Sequence, residues 1–173
     1  MTPHVLIAGV GNVFLGDDGF GVEVASQLAR EPLPEWVKAV DFGIRGIHLA
    51  FELLEGYETL ILIDALPRGE EPGTVSIVER LSDDASGVAP DAHSMDPLTV
   101  FAYLESMGGA VPRTLIVGCE PLRTDEEMGL SEPVGRAVPE AVRLIHGLLA
   151  DEALATRKGD EPTSVAASSE GGR

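Results

Sequence analysis

The sequence predicts an α/β fold, an open and mostly parallel sheet covered by helices on both faces. Two observations carry this. The runs Val5-Leu6-Ile7-Ala8 and Leu60-Ile61-Leu62-Ile63 are apolar without alternation, the pattern of strands buried on both faces. Such runs alternate with stretches of helical spacing, in the order β-α-β-α-β-β-α-β-α, which implies parallel strands with helical crossovers. At 173 residues, the chain suits one domain with a sizeable core.

The elements follow in order. Residues 5–11 read as a strand ending in glycines. Asp18-Gly19 opens a helix over residues 20–30, with Val22, Val24, Ala25, Leu28 and Ala29 as apolar positions and Pro32 and Pro34 to end it. Residues 37–42 form a short strand, 43–46 a loop, and 47–55 a helix carrying Leu49, Phe51, Leu53 and Leu54. Residues 59–64 are the strongest strand. Residues 73–80 alternate, with Val75 and Ile77 on one side, and are placed nearer an edge.

A polar loop spans 82–94, and a loop of that length is functional or mobile. Asp96 then serves as an N-cap and Pro97 as the first residue of a helix ending at Met107. Residues 114–118 are a further buried strand. The last helix covers 131–150, with Val134, Val138, Val142 and Ile145 at helical spacing and a kink or break expected at Pro139. Residues 1–152 are thus expected to be the folded domain. Residues 153–173, rich in Ser, Gly, Glu and Thr, are expected to be a disordered polar tail.

Composition narrows the function. Twelve basic and 29 acidic residues give a net charge of −17, so a nucleic-acid partner is not expected. The single cysteine, Cys119, excludes an intrachain disulfide and a thiolate metal cluster. No signal peptide and no run of roughly 20 apolar residues is evident. A cytoplasmic location without membrane insertion is the expectation.

In open α/β sheets ligands bind beyond the carboxyl ends of the strands. Asp17 and Asp18 follow the first strand, and Asp64 directly ends the central one. A carboxylate after four apolar residues is costly to bury unless it is paired, hydrogen-bonded or metal-bound. His93 closes the polar loop. Two carboxylates and one imidazole can bind a divalent ion such as zinc, nickel or iron and leave coordination positions open. Their wide spacing does not establish that they converge. His4, His48 and His146 read as structural or surface residues.

Other chemistries fit less well. Gly9-Val10-Gly11-Asn12-Val13-Phe14 fails the dinucleotide fingerprint at Phe14, and Asp17 and Asp18 put negative charge where a pyrophosphate would sit. Nothing local marks Cys119 as an activated nucleophile, Ser94 has no nucleophile-elbow context, and the H-E-x-x-H signature of a zinc peptidase is absent.

The segments Gly9-Val10-Gly11-Asn12 and Leu15-Gly16-Asp17-Asp18-Gly19-Phe20-Gly21-Val22 resemble the N-terminal signature of hydrogenase maturation endopeptidases. The resemblance continues at Leu60-Ile61-Leu62-Ile63-Asp64-Ala65, at His93-Ser94-Met95-Asp96-Pro97 and at Val117-Gly118-Cys119-Glu120-Pro121, and spans residues 4–150. It implies a three-layer α/β/α sandwich. It also implies a metal-dependent endopeptidase that removes the C-terminal extension of a nickel-iron hydrogenase large-subunit precursor, with Asp18, Asp64 and His93 as metal ligands and catalytic residues. The implied metal is nickel carried by the substrate, with another divalent ion able to take its place in vitro. Asp17 takes a supporting or capping role. Two departures stand out: Phe42-Gly43-Ile44 where the family often has a Gly-Gly-Thr-like turn, and Cys119 within the Gly-Ile-Glu-Pro motif. The rival reading is a non-catalytic α/β module that binds a nucleotide or a partner.

Overall fold

A computed structural model of the protein describes residues 3–80 and 96–159. The strands are β1 (Val5–Val10), β2 (Val37–Gly43), β3 (Thr59–Ala65), β4 (Val75–Arg80) and β5 (Arg113–Cys119). The helices are α1 (Phe20–Leu28), α2 (Gly46–Leu53), α3 (Pro97–Ser106) and α4 (Glu132–Gly159). A 3₁₀ turn, Gly16–Gly19, precedes α1.

One sheet holds all five strands in the order β2-β1-β3-β5-β4. The first four are parallel and β4 runs antiparallel at the edge. Its edge position matches its alternating pattern, and Ile77 faces outward there.

Strand side chains alternate between faces, and two cores result. Val5, Ile7, Ile61, Ile63 and Val117 pack against α1 and α4. Leu6, Ala8, Val10, Leu60 and Leu62 pack against α2 and α3. The three-layer α/β/α sandwich expected from the sequence is therefore the observed fold. Among the described residues, no helix is long and apolar enough to cross a membrane.

Asp96 caps α3 by accepting a hydrogen bond from the Leu98 amide at 3.3 Å, with Pro97 in the first position. The last helix departs from expectation. It runs unbroken through Pro139 and ends at Gly159 rather than at residue 150. Pro139 cannot donate to the carbonyl of Gly135, and its ring presses on that carbonyl. Tertiary packing of Val134, Val138, Ala141, Val142 and Ile145 on the sheet holds both sides of the proline in one line. The polar loop 82–94 lies outside the described residues; of the tail expected from residue 153, residues 153–159 continue α4 and the rest lies outside the described residues.

Candidate active site at the carboxyl ends of β1 and β3

The chain leaves β1 for β2 on one side, while β3 flanks β1 on the other. This reversal leaves a crevice between β1 and β3 at their carboxyl ends. Asp18 follows β1 and Asp64 is the penultimate residue of β3, so the two acids straddle the crevice.

Asp18 is placed by a chain reversal. Leu15 and Asp18 amides donate to the carbonyls of Asn12 (3.0 Å) and Leu15 (3.1 Å). The Asn12 amide then donates to Asp18 Oδ2 at 2.7 Å. Gly11 is required here. Its φ is 133°, and a Cβ would sit 1.8 Å from the Asp18 carbonyl oxygen. Gly21 does the same for α1, since a Cβ there would lie 2.1 Å from the Ile63 carbonyl. These two close approaches bring the Asp18 turn and the end of β3 together.

The pair is electrostatically strained. Burial pushes the Asp64 carboxyl up to about 7, and the negative charge of Asp18 adds to the shift, against a hydrogen bond from the Ala65 amide. Among the described residues neither carboxylate has a cationic partner. Two facing carboxylates without a counter-charge are a donor set that a divalent cation fits, and such an ion would reverse the upward shift. The described residues supply no third metal-ligating side chain at one point.

His93 lies outside the described residues. Asp96, three residues later, starts α3, and α3 leads to Arg113 at the opening of β5. The helix therefore begins at the carboxyl end of the parallel strands, where Asp18 and Asp64 stand.

Asp17 has a different task from its neighbour. It is fully buried and accepts hydrogen bonds from the amides of Leu122 (2.8 Å), Arg123 (3.0 Å) and Ser131 (2.7 Å) and from Ser131 Oγ (2.8 Å). Burial alone would raise its pKa, but these four bonds outweigh it and hold the carboxyl below its usual value. One carboxylate thus pins both ends of the loop 122–131 onto the 3₁₀ turn. Glu120 does similar work beyond β5, where its Oε2 accepts from the Arg68 amide at 2.6 Å.

Two open depressions flank the Asn12–Phe14 ridge. One, of about 230 Å³, is bounded by Gly11, Val22, Asp41 and Ile44 among others. The other, of about 390 Å³, lies between Asn12, Phe14 and Leu15 on one side and Glu126, Glu127 and Met128 on the other. The second was not visible in the sequence, because its walls are more than 110 residues apart and meet only in the fold.

The remaining candidates fall away on geometry. Cys119 is fully buried, and burial, with the nearby charge of Asp17, pushes its thiol up to about 12. It is no nucleophile at neutral pH. His4 stacks on Trp36 with ring centroids 5.2 Å apart, His146 pairs with Glu31 at 2.6 Å, and His48 is exposed on α2.

Comparison with known proteins agrees with the fold. The family model for hydrogenase maturation protease matches residues 22–148. The hydrogenase expression/formation protein HoxM of Azotobacter vinelandii is 32% identical over 92% of this chain and 79% of its own length. Among solved structures, the hydrogenase maturating endopeptidase HybD of E. coli superposes with a TM-score of 0.73 at 25% identity, covering 88% of this chain and 94% of HybD. The hydrogenase 2 maturation peptidase of Thaumarchaeota archaeon SCGC_AB-539-E09 does so with a TM-score of 0.67 at 34% identity, covering 85% of this chain and 98% of that one.

Proposed function

The chain belongs to the hydrogenase maturation protease family, and we propose that it trims a nickel-loaded precursor of a nickel-iron hydrogenase large subunit. The reaction is hydrolysis of one peptide bond, releasing a short C-terminal extension. The observation that carries this reading is the meeting of Asp18 and Asp64 at the crevice with no cationic partner among the described residues.

Nickel belongs to the substrate in this scheme and supplies a Lewis acid beside the scissile carbonyl. The protein's own residues do the rest. Asp18 and Asp64 offer oxygen ligands and His93 a nitrogen ligand, which together register the cleavage site against the crevice. Asp18 is held in place by the Asn12 amide, so it meets the cation without reorganising. An unloaded precursor presents nothing to relieve the repulsion between the two acids. Recognition of nickel and positioning of the scissile bond are then one event.

The test is incubation with a purified nickel-loaded large-subunit precursor from the same organism, read by mass spectrometry. Loss of a C-terminal segment is expected from the loaded precursor and not from the nickel-free one. Asp18→Asn, Asp64→Asn and His93→Ala should each lower kcat/KM by roughly 100-fold or more. Equal cleavage of both precursor forms, or full activity in all three variants, contradicts the scheme. A stable complex without mass loss favours a non-catalytic binding module.

A further inference from the structure

We infer that Glu120 is a positioning residue for the crevice acids. The corner Glu120-Pro121-Leu122-Arg123 yokes the Asp18 turn to the chain leaving Asp64, and so sets the spacing at which the two carboxylates meet one cation. The inference rests on the functional reading above, which gives that spacing its purpose.

The sheet does not fix the spacing by itself. The register of β1 with β3 ends at Gly9 and Ile63, one residue before Asp64 and well short of Asp18. The close approaches at Gly11 and Gly21 limit how near the Asp18 turn and β3 can come. Steric contact does not stop them from parting; bonds across the gap do.

One arm of the corner holds the neighbour of Asp18. The Leu122 and Arg123 amides donate to the Asp17 carboxylate at 2.8 and 3.0 Å, and the Asp17 amide donates back to the Arg123 carbonyl at 2.9 Å. The other arm holds the chain just past Asp64. Glu120 Oε2 accepts from the Arg68 amide at 2.6 Å, and the Leu66 amide donates to the Cys119 carbonyl at 2.9 Å. The Gly73 amide donates to the Glu120 carbonyl and the Glu120 amide to the Thr74 carbonyl, each at 2.9 Å. Leu66 also lies over Gly118, where a Cβ would meet it at 2.7 Å. Between the arms stands Pro121, which fixes its own φ and keeps Glu120 extended. A short, stiff corner of this kind passes a shift of one arm to the other.

The choice of a carboxylate is informative. Glu120 is only 9% exposed, and a charge buried to that degree costs more than closing a loop requires. A charged acceptor makes the shorter and stronger bond to an amide, which suits a joint that must not drift.

Isothermal titration with nickel chloride reads the spacing without any cleavage. Glu120→Ala should weaken nickel binding about tenfold. Glu120→Gln, whose amide oxygen can still accept from Arg68, should return it to near the wild-type value. Thr59→Ala removes the bond to Glu152 at the opposite end of β3, and should lower Tm while leaving nickel affinity unaltered. Wild-type affinity in Glu120→Ala overturns the proposal. So does a loss in Glu120→Gln equal to that in Glu120→Ala, which would make the charge responsible rather than the bond. An equal loss in Thr59→Ala would mean general destabilisation and overturns it too.

Nickel binding that Asp18→Asn and Asp64→Asn leave unchanged, or no binding in the wild type, contradicts the functional reading. Amide hydrogen exchange then decides the yoke. Glu120→Ala should speed exchange at Leu66 and Arg68 and also at Asp17, across the corner. Faster exchange confined to Arg68 would make Glu120 a local loop bond and overturns the proposal.

Discussion

Asp64 follows four strand residues that are all buried, and it carries the cost of that position. Its folded-state pKa of about 7 exceeds the value of about 3.9 in an unfolded chain. Below about pH 4 the group is protonated in both states and its ionisation is neutral to stability. Between the two values the folded state binds more protons, so the stability tied to Asp64 is lost as pH rises from about 4 through 7. Asp64→Asn should therefore raise Tm at pH 8, with a gain that shrinks toward pH 4. A gain independent of pH would show that neither burial nor the charge of Asp18 penalises the ionised carboxyl. Asp17 is the opposite case, a carboxylate whose four hydrogen bonds favour its charge, and its contribution disappears only in strong acid. Asp17 and its neighbour Asp18 thus divide the labour, one holding the scaffold and one facing the crevice.

At the scale of elements, the site depends on how closely α1 approaches the sheet. Gly21 lets the helix touch the backbone of β3, where any Cβ would stand 2.1 Å from the Ile63 carbonyl and 2.5 Å from that of Val10. Gly21→Ala should cost about 3 kcal/mol or more of stability by denaturant titration. Wild-type stability in that variant would mean the helix can shift without penalty. The strands that carry the site were legible because buried parallel strands leave apolar runs such as Leu60-Ile61-Leu62-Ile63, and Asp96-Pro97 announced α3 through local capping chemistry. Pro139 misled because local propensity predicts a break where packing on the sheet sustains the helix. The closeness of Asp18 to Asp64 was suggested by strand ends but fixed only by the fold. The grip of Asp17 on Leu122, Arg123 and Ser131 spans 105 to 114 residues, a separation that leaves no local trace in sequence.

The whole molecule carries a net charge of −17, and its cations are few enough to be shared. Arg113 bridges Glu79 and Glu152 at 2.7 and 3.1 Å, joining the sheet edge to α4. Such exposed pairs contribute little each, so self-repulsion dominates the long-range electrostatics. Tm should accordingly rise by about 2–4 °C between roughly 20 and 300 mM sodium chloride, as screening shortens the reach of the acidic surface. A falling Tm would mean that the ion pairs outweigh the repulsion.

The clasp formed by Asp17 has an evolutionary corollary. Because it fastens residues 122–123 and 131, and the Gly16 amide holds the Glu127 carbonyl between them, the side chains of the arc from 124 to 130 can be rewritten while its anchor points stay fixed. Diversification can accumulate there, and the Asp18 turn next door need not move.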